Sequence, residues 1–325
     1  MSSENNTIMI RIYYLLILYI SLLGHQGLAQ IVPNENSTTN STILMALRPP
    51  EGRIINGTPA KPGQFPFQVY ITADKYACGG SIINNNTVLT AAHCVYYADK
   101  HNKLIPANKI KVWAGGVNKN LMEEFRVKKV IPHKKYDSKK FDYDIALIKI
   151  TTKFWTQHPT NIIDSISLTR QRFPDNTECT VSGWGYTIGN QPVSAANTLM
   201  HTNVKIYNHK ICNDMYKPSK TKITDAMICA ANINNSTVCS GDSGGPLFVK
   251  NKQTSNIPQL IGIVSFGING CYTNIPSVYT DVFHYKDWIE KNAGSHGISY
   301  QIISFSQFLS SVLLSTFILY FKNLN

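Results

Sequence analysis

Gly241-Asp242-Ser243-Gly244-Gly245-Pro246 is the stretch on which the reading of this chain turns. A serine hydroxyl is a weak nucleophile at neutral pH. It attacks only where a base sits beside it, donors await the developing oxyanion and the backbone bends to present the side chain. Glycines on both sides of Ser243 permit that bend and let a second chain come close. Working outward, Thr90-Ala91-Ala92-His93-Cys94 offers an imidazole, and Asp144-Ile145-Ala146-Leu147-Ile148-Lys149 offers a carboxylate. A lone His or Asp is ordinarily structural, but these three motifs together hold the parts of a nucleophile, a base and a group that orients the base.

Between the motifs the chain runs in short β-type stretches broken by Gly, Asn and Pro: FPFQVYIT, SIINNNTVLTA, IKVWAGG, DIALIKI, ECTVSGWG, PQLIGIVSFG and SVYTDV. That pattern predicts an all-β fold from Ile54 to about Trp288. Helical spacing of apolar residues emerges only over Asp281 to Asn292, so one C-terminal helix is expected there. Strand runs on both sides of a polar stretch near residues 160 to 175 suit two subdomains joined at that point.

The 325 residues are 43% hydrophobic and 15% charged, enough apolar material for a core and too little charge for a disordered chain. Residues 8 to 23 form an apolar run after which Gly27-Leu28-Ala29 suits signal peptidase, so residues 1–29 are read as a signal peptide; a retained anchor fits less well, being short of the roughly 20 residues a span needs. Residues 30–53, rich in Asn, Ser, Thr and Pro, are read as a propeptide. The tail at 295–325 carries an apolar stretch from Ile302 to Phe321. It is read as a glycolipid-anchor signal preceded by Ala293-Gly294-Ser295, with a transmembrane helix and a trimmed or packed tail as alternatives. The protein is therefore expected outside the cell, either free or held at the cell surface by its tail.

None of the seven cysteines has a Cys-x-x-Cys or His-rich metal spacing, which favours disulfides over zinc and leaves one cysteine over. No metal and no cofactor is expected. Sequons at Asn36, Asn40, Asn85, Asn234 and Asn235 agree with a secretory route. Net charge is +12, with lysines crowded between residues 100 and 153, among them Lys128, Lys129, Lys134, Lys135, Lys139 and Lys140. A solvated basic face is the plainer reading and a polyanion patch the other. The absence of interleaved aromatic residues argues against nucleic acid.

The His93, Asp144 and Ser243 motifs, in that order, resemble those of the chymotrypsin-like serine proteases, and the resemblance covers about residues 54 to 293, set as a domain over 54–294. It implies two packed six-stranded antiparallel β-barrels with a C-terminal α-helix, and a serine endopeptidase acting on protein or peptide substrates without a cofactor. It implies Ser243 as nucleophile, His93 as general base and Asp144 as its orienting acid, with the N–H groups of Gly241 and Ser243 as the oxyanion hole. Asp142 is the rival acid, set aside because Ile-Ala-Leu follows Asp144. Arg53-Ile54-Ile55-Asn56-Gly57 is similar to the activation junction of such zymogens, which implies an activating trypsin-like protease cutting after Arg53 and a new Ile54 ammonium pairing with Asp242. Protein inhibitors are further partners in prospect.

By the same resemblance Cys78 pairs with Cys94, Cys212 with Cys229 and Cys239 with Cys271, while Cys179 is left free because Val249 stands where its usual partner would be. The pocket floor falls at Thr237, its walls at Gly267 and Ser277, and the substrate-pairing strand at Ser265. With no carboxylate at the floor, cleavage is expected after apolar or aromatic rather than basic residues. The alternative from another class is a catalytically silent binding or decoy protein of protease shape.

Overall fold

The structure, a computed structural model, describes residues 57–98, 103–155, 162–186, 195–232, 238–250, 257–268 and 274–294. The expected signal peptide, the propeptide, the Arg53–Ile54 junction, Thr237, Cys271, the tail and the sequons at Asn36, Asn40, Asn234 and Asn235 lie outside the described residues. In chain order the elements are β1 (Thr58–Pro59), β2 (Gln68–Ala73), β3 (Tyr76–Asn84), β4 (Thr87–Thr90), β5 (Ile110–Ala114), β6 (Glu123–Pro132), β7 (Ala146–Ile150), β8 (Ser167–Leu168), β9 (Glu178–Gly183), β10 (Met200–Tyr207), α1 (His209–Tyr216), β11 (Met227–Asn232), β12 (Pro246–Lys250), β13 (Pro258–Phe266), β14 (Ser277–Asp281) and α2 (Lys286–Ala293).

Strands β2-β3-β4-β7-β6-β5 close one antiparallel six-stranded barrel. A second closes as β9-β10-β11-β14-β13-β12, because β9 pairs with both β10 and β12; β1 adds to β10 and β8 to β13. The expected all-β architecture of two six-stranded barrels is what the chain adopts. Period-2 patterning explains the inward faces: Val69, Ile71 and Ala73 of β2, and Ile110, Val112 and Ala114 of β5, are buried, while Lys111 points outward. The barrels meet through aromatic rings. Phe248 of β12 packs edge-on against Phe65 and Phe67 at 5.4 and 5.2 Å, and Ser182 Oγ donates to Gln68 Oε1 across the seam at 2.6 Å.

Two local expectations need correction. The C-terminal helix begins at Lys286 rather than Asp281, because Asp281 closes β14 and its Oδ1 accepts the N–H groups of Phe283 and His284, holding a turn there. Helix α1 was not legible as a periodic run. It is only eight residues long, capped by Asn208, whose side chain accepts the Ile211 N–H, and it is stapled to β11 by a disulfide.

Candidate active site

The antiparallel register places the first two site residues. Thr90 at the end of β4 faces Ala146 at the start of β7, so His93, just past β4, and Asp144, just before β7, emerge at the same rim of the first barrel. Asp144 is 1% exposed. Its Oδ1 accepts the His93 backbone N–H at 2.8 Å, and its Oδ2 accepts from His93 Nδ1 at 2.8 Å and from Ser265 Oγ at 2.5 Å. Thr280 Oγ1 donates to the Asp144 carbonyl at 2.8 Å. Both carboxylate oxygens of this buried side chain therefore accept hydrogen bonds, three in all. The Nδ1 proton is committed to Asp144, so in the neutral ring Nε2 is the acceptor. Asp142 plays no such part: among the described residues its side chain accepts only the neighbouring Tyr143 N–H.

Ser265 reaches Asp144 because the β13–β14 register shifts between Val264 and Phe266. A bulge of this kind re-aims a side chain, here from the second barrel toward an acid of the first.

Ser243 sits in the turn before β12, and that turn is pressed onto the first barrel. The Gly79 N–H donates to the Ser243 carbonyl at 2.7 Å, and the Gly244 N–H to the Val264 carbonyl at 2.8 Å. At Gly244 φ is +76°, and a Cβ would lie 2.2 Å from Thr90 Oγ1 and 2.6 Å from the Gly79 carbonyl. Only glycine fits. Contact with Thr90 and Ala91 seats the Ser243 turn against the segment that carries His93. Among the described residues no hydrogen bond joins Ser243 Oγ to His93.

Gly241 holds φ +98° with its Cα against Gly185, where a Cβ would come within 2.9 Å of the Gly185 Cα. Asp242 is fully buried beneath it. The Gly185 N–H donates to its Oδ1 at 2.8 Å and the Cys239 N–H to its Oδ2 at 2.9 Å. Among the described residues no cation pairs with it. Burial pushes its carboxyl up to about 6, against the pull of those two N–H groups.

Disulfides join Cys78 to Cys94 and Cys212 to Cys229. Cys239 is disulfide-bonded too; its expected partner Cys271 is outside the described residues. Cys78, Cys94 and His93 gather ligand-type atoms within 4.8 Å, yet the two sulfurs are bonded to each other and offer no thiolate to a metal. Cys179 is a buried free cysteine.

Residues 54–289 match the family model for trypsin. This chain belongs to the trypsin family, within the chymotrypsin-like serine proteases. It is 34% identical over 244 residues to Trypsin Blo t 3 of Blomia tropicalis, spanning 74% of this chain and 86% of that protein. It is 36% identical over 252 residues to Hypodermin-B of Hypoderma lineatum, spanning 75% and 89%. Among solved structures, the mouse brain serine protease neuropsin superposes with a TM-score of 0.61 at 29% identity, over 73% of this chain and 99% of that one. As a trypsin-family protein the chain is a serine-type endopeptidase, a hydrolase of protein or peptide substrates.

Gly267 and Ser277, the expected pocket walls, lie close together: a Cβ on Gly267 would stand 3.9 Å from Ser277 Oγ. Sequence reasoning missed an aromatic wall. The Phe141 ring meets the His93 ring at 5.8 Å and the Phe266 ring at 5.3 Å. Phe141 and Tyr143 both adopt left-handed backbone, at φ +52° and +55°, a costly arrangement for such residues. Which way Phe141 faces depends on those angles, which the residue types do not reveal. Ser265 was named for substrate pairing alone; its hold on Asp144 comes from a bulge that one-dimensional patterning does not reveal.

Proposed function

We propose that this endopeptidase is secreted as an inactive precursor, is switched on by a trypsin-like cut after Arg53, and works through Ser243, His93 and Asp144. The observation that carries the reading is the Asp144 carboxylate, buried and bonded to both the backbone and the ring of His93. In the reaction, Ser243 Oγ attacks the scissile carbonyl carbon while its proton passes to His93 Nε2. The resulting oxyanion lies against the N–H groups of Gly241 and Ser243, each donor contributing about 3 kcal/mol of transition-state stabilisation. The C–N bond then breaks, His93 returns the proton to the leaving amine, and water repeats the sequence on the acyl-enzyme.

Asp242 supports the precursor reading: a buried carboxylate without a cationic partner among the described residues is a site that a new Ile54 ammonium would neutralise. Specificity is proposed for apolar or aromatic side chains, since Thr237, Gly267 and Ser277 bring no acid to the pocket and the Phe141–Phe266 wall adds apolar surface beside His93. Protein inhibitors and attachment through the tail belong to the same proposal.

The test is fluorophosphonate labelling before and after limited trypsin treatment, followed by a panel of chromogenic peptides. Label is expected only after the cut, and none with Ser243→Ala. Labelling of the uncut chain at full rate would overturn the precursor reading, and fastest cleavage after Lys or Arg would overturn the specificity.

A further inference from the structure

On the first barrel, β6, β7 and the end of α2 enclose a groove of about 800 Å³ that takes no part in the site above. Four lysines line it, Lys128, Lys129, Lys149 and Lys153, with asparagines and threonines between them and neither Asp nor Glu. Lys129 stands directly opposite Lys149 on the β6–β7 ladder. Like charges at opposed positions destabilise a sheet. A register shift between Val127 and Lys129 adds Lys128 to the same cluster.

Lys149 has a structural task, since its Nζ donates to Thr87 Oγ1 at 2.7 Å and to the Ala293 carbonyl that ends α2. Lys128 and Lys129 are exposed and have no ionic partner among the described residues. An anion from outside would offset the electrostatic cost of this arrangement.

We propose that this groove binds a linear sulfated polysaccharide, its sulfate groups bridging Lys128 and Lys129. Three features select that ligand among polyanions. The lining holds no aromatic side chain on which a nucleobase could stack. It is concave, and none of the exposed large apolar residues borders it, so it lacks what a membrane-seated face uses. The lysines offer separate point charges along a recess, and the net charge of +12 draws a polyanion toward them.

The test measures fluorescence anisotropy of a labelled heparin-type octasaccharide against the full protein freed of N-glycans, because Asn85 lies on the groove. Lys128→Ser/Lys129→Ser should weaken binding about ten- to thirtyfold and make the salt dependence shallower by about two ions. Lys134→Ser/Lys135→Ser should bind like the parent, and Lys128→Arg/Lys129→Arg should retain affinity. Thermal unfolding and peptide hydrolysis establish that each variant is folded. Equal loss in both serine pairs, loss in the arginine pair, or equal affinity for single-stranded RNA or phosphatidylserine vesicles would overturn the assignment.

Discussion

Ser265 Oγ and His93 Nδ1 converge on one oxygen, Asp144 Oδ2, so the imidazole is oriented by a carboxylate that is itself held from the other barrel. Replacing Ser265 by Ala removes a charge-assisted bond and should lower kcat/KM about tenfold with KM little changed, read from initial rates on a chromogenic peptide. Asp144→Asn, which leaves the shape and spoils the tautomer, should cost about 10⁴ in kcat. Gly244 is constrained by space as well as by φ. Gly244→Ala would drive a methyl into Thr90 Oγ1 and the Gly79 carbonyl, and should destabilise the protein by about 2 kcal/mol or more in urea unfolding while abolishing activity.

At the scale of elements, β12 carries a vacancy in its cross-linking. Leu247 faces Val181 and Phe248 faces Thr180, and the same register brings Val249 opposite Cys179, both within one buried cluster. Burial pushes the Cys179 thiol up to about 12, so it should resist a disulfide reagent such as Ellman's in the native state and react only on unfolding. Val249→Cys should form a bridge to Cys179, seen as loss of the thiol, and raise stability by about 4 kcal/mol for a loop of that length if the pair closes without distortion.

For the whole molecule, Asp242 links stability to pH. With no cation paired to Asp242 among the described residues, the folded chain holds this proton to about pH 6, whereas the reference carboxyl releases it near 3.8. The folded state therefore binds more protons between those values, and its stability falls as pH rises from about 4 to about 6, by about 3 kcal/mol, and is flat above. Urea unfolding of the uncut protein at pH 4.5 and 7.5 should show this loss, and Asp242→Asn should lack that share of it. Once an ammonium pairs with Asp242, the charged form is favoured and the loss should shrink, so the cut enzyme should be the more stable form at pH 7.5.

The sequence by itself determined the β class, the two subdomains, the one free cysteine and the residue types of the site, because strand alternation and the motifs around His93, Asp144 and Ser243 are local signals. Several strands escaped it. β6 and β10 carry charged or polar residues along a surface-exposed side, so their patterning is diluted. Only the tertiary structure decided that Ser265 of one barrel grips Asp144 of the other, that Phe141 turns toward His93, and that Lys129 lies opposite Lys149. Each depends on a bulge, a left-handed residue or a register between distant strands. Such geometry is set by barrel closure, which couples residues far apart in the chain and leaves no trace in any short window of sequence.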